Sequence, residues 1–316
     1  MPNTLATTEE LADVFFERFR VVAAPLRSMA TDFSSQRAKM NQPVIAKVGQ
    51  TPSAAQDYHA TDGFFPAGDD VKDLLVDVPV TIDQFKTIPI TIDFEDTTEA
   101  SIDLIEGAYQ SAAEVMGKTI VDYALAQVVA ANFSKNSVFT TGNSDYDMLE
   151  DVRKDLNSQG VGQFGRFGLV SPDVYSTLDG DSRISSRDYR GQMSDQSYGH
   201  LKNIKGFTDI WEYPDFPANG ENLSAFFGNA SAIAVASRLP NDMSAYMQRL
   251  GATQVISMVP QTDPDTGITM LFVTSQDGKT GDLRTAVAAM FGAAAGKQGG
   301  ASDAILDNAG HRVVTA

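Results

Sequence analysis

Residues 96–133, DTTEASIDLIEGAYQSAAEVMGKTIVDYALAQVVAANF, form the most strongly patterned stretch of this chain of 316 residues. The opening Asp96-Thr-Thr-Glu99 is similar to a capping box, which satisfies the free N–H groups at the start of a helix. Apolar residues then recur every three or four positions, and no proline interrupts them. The pattern predicts a single helix roughly 50 Å long, several times the average length. The apolar positions are Ile102, Ile105, Tyr109, Ala112, Met116, Ile120, Tyr123, Ala126, Ala130 and Phe133.

Strict alternation marks the segment immediately before this helix. Apolar β-branched residues occupy every second position over 76–82, and the same pattern continues over 88–94. Residues 83–86 separate the two runs, so the pattern predicts a hairpin. Pro79 and Pro89 lack the N–H that a central strand donates, which indicates edge strands and an extended arm.

The N-terminal part combines an amphipathic helix with a long irregular segment. Helical spacing predicts the helix over 8–27, either as part of the core or as an arm that packs on a neighbouring subunit. Residues 28–70 have little periodicity, and a loop this long is usually functional or ordered by a partner. Its adjacent aromatic residues Phe64 and Phe65 are expected to contact another subunit; the alternative is a small cluster beneath the loop.

Shorter elements of both kinds follow the long helix. A helix is predicted over 145–159, where Gly160 ends the pattern, and another begins at Ser171. Residues 179–206 are predicted as a surface excursion, and the tail after Gly296 is predicted to fray. This mixed order predicts an α+β protein. Strands are predicted over 167–170, 208–213, 225–227, 253–260, 268–274 and 283–291, while 230–237 fits strand or helix.

Charge and cysteine content exclude several classes of function. Lys and Arg number 24 against 41 Asp and Glu, which gives a formal charge of −17. The negative electrostatic field of such a chain repels phosphate groups and disfavours direct nucleic-acid binding. It is compatible with a position next to DNA, because an acidic wall would keep the DNA from adhering. The absence of cysteine excludes disulfides and thiolate metal sites. Neither a signal peptide nor a membrane span is recognisable, so a soluble protein made in the cytoplasm is expected.

No motif in the sequence completes a catalytic or cofactor site. Gly160-Val-Gly-Gln-Phe-Gly165 matches the dinucleotide fingerprint, but it follows a predicted helix and precedes a strand, the reverse of the required order. Gly292 to Lys297 falls one residue short of a phosphate loop, and Asp263 to Gly267 predicts a hairpin turn rather than a calcium loop. We therefore expect no cofactor, no metal and no enzymatic activity. The histidines lack metal-ligand spacing and are expected on the surface or in loops: His59, His200 and His311.

One basic cluster occurs in this acidic chain. Arg183, Arg187 and Arg190 lie close together within the predicted surface excursion. The cluster is interpreted either as a screened surface loop or as a subunit contact.

The ordered set of segments resembles the major capsid proteins of tailed bacteriophages with the Hong Kong 97-like fold. Val78-Pro-Val-Thr-Ile-Asp-Gln-Phe-Lys86, leading through Ile88-Pro-Ile-Thr-Ile92, is similar to the segment that enters the family's spine helix. Gly168-Leu-Val-Ser-Pro-Asp-Val-Tyr175 is similar to a strand-then-helix step in its axial domain. The resemblance covers about residues 70–292. Later segments that resemble the axial domain are Gly206-Phe-Thr-Asp-Ile-Trp211, Pro217-Ala-Asn219 and Phe227-Gly-Asn-Ala-Ser-Ala232.

The resemblance implies a division of the chain into the parts of that fold. The long helix would be the spine of a peripheral domain, to which the closing strands also belong. The implied boundaries are an N-terminal arm over 1–45, an extended loop and hairpin over 46–95, the peripheral domain over 96–139 and 251–300, an axial domain over 140–250, and a C-terminal tail over 301–316.

The resemblance also implies a function without an active site. Subunits would form pentamers and hexamers that close into an icosahedral shell around double-stranded DNA, without sequence-specific binding and without a membrane. The protein would assemble in the host cytoplasm and reside in the virion. A separate scaffolding protein and a portal are expected partners, and no cross-linking motif can be matched. The alternative is an encapsulin, a bacterial shell of the same fold that encloses cargo enzymes.

Overall fold

The structure is a computed structural model that describes residues 8–49, 75–92, 102–139, 146–185, 196–197, 199–240, 254–276, 283–296 and 310–315. Helices and strands are interleaved along the chain, so the expected α+β class is confirmed. The helices are α1 (Thr8–Val22), α2 (Ile102–Leu125), α3 (Tyr146–Ser158), α4 (Pro172–Gly180) and α5 (Ser182–Ser185), with a 3-10 turn over Ala24–Ser28. The strands are β1 (Ala30–Arg37), β2 (Gln42–Gly49), β3 (Leu75–Ile82), β4 (Gln84–Ile92), β5 (Asn136–Phe139), β6 (Arg166–Val170), β7 (Gln196–Ser197), β8 (His200–Ile204), β9 (Phe207–Glu212), β10 (Leu223–Asn229), β11 (Ile233–Leu239), β12 (Gln254–Thr262), β13 (Thr269–Gln276), β14 (Leu283–Ala295) and β15 (Gly310–Thr315).

The strands form two sheets and one two-stranded ribbon. The six-stranded sheet has the order β1-β11-β14-β13-β12, with β4 paired to β14 as well. The seven-stranded sheet has the order β5-β15-β10-β6-β9-β8-β7, and β2 pairs with β3 in the ribbon. The apolar run at 230–237, which fitted either structure, is thus resolved as strand β11.

Strand β14 organises the six-stranded sheet. Residues 283–288 pair with β13 and residues 290–295 pair with β11, while residues 283–291 pair with β4. Since one strand has only two edges, β13 and β11 follow each other along one edge and β4 occupies the other. The predicted hairpin of β12 and β13 is confirmed, and its turn lies at Asp263 to Gly267.

The hairpin predicted between residues 76–82 and 88–94 is wrong, although both strands exist. β3 pairs with β2, and β4 pairs with β14, so the two strands separate at Asp83. A single intervening residue cannot form the two-residue turn that a tight hairpin needs. The edge positions inferred from Pro79 and Pro89 are confirmed, because β3 and β4 each have one paired neighbour among the described residues.

The β2–β3 ribbon packs across the six-stranded sheet. Val78, Val80 and Ile82 are buried while the residues between them are exposed, so alternation places one face of β3 on β11 and β14. The approach is close at Gly292, where a Cβ atom would lie 2.0 Å from the Thr81 carbonyl oxygen. Only glycine fits at this crossing.

Helix α2 is shorter than the sequence pattern predicts. It contains 24 residues, about 36 Å at the standard rise, and ends at Leu125 rather than near Phe133. The Asn219 side-chain amide donates to the Leu125 and Val128 carbonyl oxygens at 2.9 and 2.8 Å, which satisfies carbonyls at the helix end. Phe133 is nevertheless buried, so the apolar pattern after Leu125 marks buried residues that are not part of the helix.

The N-terminal helix α1 belongs to the core. Phe15 and Phe19 are fully buried, and Phe15 meets Phe272 of β13 edge to face at 5.6 Å. Helix α1 packs along α2 near Gly117, whose added Cβ would lie 3.2 Å from Val22. Of the two interpretations of the 8–27 pattern, the core helix is the one observed.

The C-terminal strand corrects the expectation of a frayed tail. β15 lies between β5 and β10 in the seven-stranded sheet, where Val313 is fully buried. The Arg312 guanidinium donates to the Phe133 carbonyl oxygen at 2.7 Å and pairs with Glu221. The order of β15 depends on partners that are distant in sequence.

The prediction of a surface excursion over 179–206 is wrong in part. His200 and Leu201 of strand β8 are buried.

Candidate functional site

The glycine-rich match at residues 160–165 is a connection between α3 and β6. The order helix, loop, strand is the one inferred from the sequence, and it places no helix N-terminus after the glycines. A pyrophosphate site needs that helix N-terminus. Gly160 and Gly165 have φ of 75° and 69°, left-handed conformations that glycine adopts without strain.

The motif at Asp263 to Gly267 is a turn whose buried carboxylate forms an ion pair with Arg20 of helix α1. Asp263 is completely buried and accepts hydrogen bonds from Arg20 at 2.7 Å and from the Thr266 hydroxyl at 2.5 Å. Burial acts to raise the pKa of Asp263, and the bonds from Arg20 and Thr266 outweigh it, so the pKa lies below its usual value. The carboxylate therefore joins helix α1 to the β12–β13 turn.

His200 is a structural residue of the seven-stranded sheet rather than a surface residue. Its ring stacks on Trp211 with centroids 3.6 Å apart and an interplanar angle of 6°. Its Nε2 lies 2.8 Å from Asp209 Oδ1. Burial lowers the pKa of His200 in spite of that carboxylate.

His311 is the second buried histidine, and its neighbours have the order of a hydrolase triad. Its Nε2 lies 2.8 Å from Ser137 Oγ, and its Nδ1 lies 3.6 Å from Asp155 Oδ2. The latter distance is too long for the hydrogen bond that orients a catalytic imidazole. The ring is also fully buried, which closes it to a substrate. Both His200 and His311 therefore contradict the expectation of surface histidines, and His59 lies outside the described residues.

Acidification is expected to destabilise the folded chain through His311. Burial, followed by the nearby cations Arg312 and Lys135, lowers its pKa, while Asp155 opposes this shift. The unfolded chain therefore takes up a proton near pH 6.5 before the folded chain does, and stability falls as the pH decreases through that value. Thermal melting between pH 7.5 and 5.5 should show this loss, with a shallower slope for His311→Gln. Equal slopes for the two proteins would contradict the assignment.

Arg183 is held within its own chain. Its guanidinium pairs with Asp147 at 2.8 Å and with Asp181 at 3.0 Å, and it lies 4.7 Å above the Tyr146 ring. These bonds raise the pKa of Arg183 and join α5 to the start of α3. The subunit contact predicted for Arg183 remains a prediction. The other predicted contact residues lie outside the described residues: Phe64, Phe65, Arg187 and Arg190.

An exposed aromatic residue projects from a fixed loop at one end of the seven-stranded sheet. Phe164 is 96% exposed, more than any other large hydrophobic residue in the described ranges. The buried Arg166 holds the loop from below, with bonds to the Gly162 carbonyl at 2.8 Å and the Val161 carbonyl at 2.6 Å. A third bond, of 2.7 Å, reaches the Asn157 side chain. Residues 160–165 are called the Phe164 loop below.

A groove of about 650 Å³ lies where α1 and the 3-10 turn face the end of β9. Val21, Pro25 and Pro214 give it an apolar lining, and Trp211 is part of its wall. Seven charged residues also line it, and among them Lys118 pairs with Asp215 and Arg18 pairs with Glu114. This cavity is called the α1–β9 groove below.

The described residues contain neither a candidate metal-binding cluster nor a candidate membrane-spanning helix. They contain no group of three or more His, Cys, Asp or Glu side chains close enough to bind a metal. No helix in the described ranges combines the length and apolar character that crossing a membrane requires.

Comparison with solved structures identifies the architecture. The chain superposes on the capsid of Ralstonia phage GP4 with a TM-score of 0.53 and 10% identity, covering 90% of this chain and 86% of that chain. It superposes on the mature capsid of bacteriophage PhiM1 with a TM-score of 0.51 and 10% identity, covering 92% and 86%. The chain has the fold of bacteriophage capsid proteins. The capsid fold expected from the sequence is thereby confirmed.

A virus-like particle from Pyrococcus furiosus matches with a TM-score of 0.48 and 8% identity, covering 91% of this chain and 94% of that chain. No protein-family model and no curated protein matches the sequence.

Sequence reasoning found the candidate contact surfaces of this chain only in part. The arm foreseen from the sequence was a hairpin of β3 with β4, whereas the structure pairs β3 with β2 and packs this ribbon on β11 and β14. Phe164 entered the sequence analysis only as a member of a rejected cofactor motif. The available signal was a lone aromatic residue between glycines in a polar connection, which indicates exposure but not a fixed geometry.

Proposed function

We propose that this chain is the major capsid protein of a tailed bacteriophage. In this proposal it assembles with itself into pentamers and hexamers that close into an icosahedral shell around double-stranded DNA. The observation that carries the proposal is the shared fold with the GP4 and PhiM1 capsids over at least nine-tenths of this chain. Agreement over nearly the whole length of both chains favours a subunit of the same kind over a common fragment.

The pairing at the end of the β2–β3 ribbon is evidence for a loop that extends to a neighbouring subunit. Gly49 and Leu75 pair with each other at the end of the ribbon, so the two ends of the segment between them lie side by side. The ribbon itself is fixed by its buried face on β11 and β14. In this proposal residues 46–83 form the extended loop, shorter than the expected 46–95 because β4 lies in the six-stranded sheet, and Phe64 and Phe65 contact the adjacent subunit.

The two sheets support a division into two domains. In this proposal the six-stranded sheet with α1 and α2 is the peripheral domain, and the seven-stranded sheet is the axial domain. The proposal therefore moves the expected boundaries. It counts α1 and β1, from the expected arm over 1–45, and β11 with the peripheral domain, and it counts β15 with the axial domain. A shared core of residues from both sheets joins them, including Phe226 of β10 and Phe291 of β14.

The charge of the chain suits a wall that faces packaged DNA. The formal charge of −17 repels phosphate groups, so the genome can be enclosed without adhering to the shell. The proposal includes a separate scaffolding protein, a portal, assembly in the host cytoplasm and a final location in the virion. It assigns no enzymatic activity to the chain.

Sedimentation of the purified chain, alone and with a scaffolding protein, tests the proposal. We expect rings or megadalton shells rather than a 33.9 kDa species. The contents of particles isolated from cells separate the two shell types, since DNA marks a phage head and a cargo enzyme marks an encapsulin. A chain that stays monomeric in every assembly condition would refute the proposal.

A further inference from the structure

We propose that Phe164 of one copy inserts into the α1–β9 groove of the next copy around a ring. This contact rests on the proposed function, because it concerns how shell subunits bind each other. It assigns a second copy of this chain as the occupant of the groove.

The construction of the Phe164 loop indicates a binding role. Single exposed apolar residues are common on protein surfaces and need no explanation. Phe164 differs because the loop that carries it is fixed from below by a guanidinium with only 2% exposure. Burying a guanidinium is costly unless its donors are satisfied, and here Arg166 donates to the backbone and side chain of residues 157–162. The loop is thus held in one shape, and a partner need not order it on binding.

The groove offers surroundings that suit an aromatic ring. Its volume exceeds that of a phenylalanine side chain, and Val21 within it is itself 64% exposed. Aromatic anchors that fill such pockets supply much of the affinity at protein interfaces, while a polar border excludes water around them. The charged pairs that line the groove together with its apolar residues, such as Lys118 with Asp215, supply that polar border.

The positions of the two features favour a contact that repeats around a ring. β6 and β9 are parallel, with Phe167 opposite Asp209 and Val170 opposite Glu212. Phe164 precedes β6, whereas the groove lies beside the end of β9, so the two features lie at opposite ends of the strand pair. At about 3.3 Å per residue, the length of β6 separates them by roughly 15 Å or more. A head-to-tail ring requires two different and separated patches on each subunit, and a twofold dimer does not.

Cysteine cross-linking tests the contact directly, because the natural chain contains no cysteine. Rings or shells of the double variant Val21→Cys with Phe164→Cys are oxidised and run on a non-reducing gel. We expect a ladder of covalent multimers that reaches five and six chains. The matched control pairs Phe164→Cys with Val138→Cys, since Val138 is 65% exposed on the edge strand β5 and lies outside the groove. The control should form no such ladder.

The substitution Phe164→Ala supplies a second readout. Removing a ring that is buried only in the assembly should weaken each contact roughly 10- to 100-fold, so assembly requires more protein. The monomer melting temperature should not change, because the exposed ring contributes little to its own chain. Val138→Ala is expected to leave both measurements unchanged.

The outcomes separate this inference from the proposed function. Shells that form without a ladder, a disulfide confined to single chains, or normal assembly by Phe164→Ala would each overturn the contact and leave the shell function intact. A wild-type chain that forms neither rings nor shells would overturn both.

Discussion

Gly292→Ala is expected to destabilise the chain by about 3 kcal/mol and to release the β2–β3 ribbon. The new methyl group would lie 2.0 Å from the Thr81 carbonyl oxygen and 2.8 Å from its carbon, distances that require the backbone of β3 to move. The buried ribbon residues Val78 and Val80 would lose contacts as β3 shifts. Chemical denaturation measures the cost, and hydrogen exchange in β3 measures the release.

Two glycines of α2 provide matched controls for the same substitution. Gly107 has nothing within 4 Å of an added Cβ, so Gly107→Ala should stabilise the helix by about 0.5–1 kcal/mol. Gly117 faces Val22 at 3.2 Å, so Gly117→Ala should fall between the other two. If Gly292→Ala behaves like Gly107→Ala, then β3 does not cross β14 as described.

Met116→Asp is expected to cost about 4 kcal/mol or more, a large part of the roughly 5–15 kcal/mol by which an ordinary domain is stable. Met116 is fully buried on α2, within the cluster that α1, α2 and the six-stranded sheet share. An aspartate there would be a buried charge, or a buried acid, in an apolar cluster. Urea denaturation or expression level would report the loss.

Met116→Leu is the control, since it nearly conserves volume and apolar character and should cost less than about 1.5 kcal/mol. Comparable destabilisation by both variants would indicate a packing defect rather than a buried charge. Rapid hydrogen exchange throughout residues 102–125 of the wild-type protein would contradict the helix itself.

Local pattern predicted most elements but not their partners, and it missed β1 and β2, which lie in the segment over 28–70 that was expected to be an irregular loop. The alternation in β3 identified a strand with one buried face, and the same alternation is seen in its burial. Its pairing with β2 rather than β4 depends on contacts across a gap of more than 25 residues along the chain. Periodicity carries no information about which distant strand is adjacent, so the hairpin prediction failed there.

The predictions for the end of the long helix and for the end of the chain were wrong for a related reason. The apolar spacing through Phe133 reflects burial, but Asn219 binds the carbonyls at Leu125 and Val128, where the helix stops. β15 is short, and its order depends on β5 and β10 on either side. In both cases the deciding partner lies about 90 residues or more away along the sequence.

The candidate surfaces were the least predictable part of the molecule. The three bonds of Arg166 and the resulting exposure of Phe164 depend on a buried guanidinium that sequence alone suggests is exposed. The α1–β9 groove is formed by segments that are about 190 residues apart in the chain. Such surfaces arise from tertiary packing rather than from a motif.

Electron cryomicroscopy of the particles formed by the purified chain, with a scaffolding protein where one is required, tests the shell function most directly. The account predicts hollow polyhedral shells built from rings of five and six subunits. Each subunit should show both sheets and the α2 helix. Homogeneous monomers or simple twofold dimers in all of these conditions would contradict the assignment as a capsid protein.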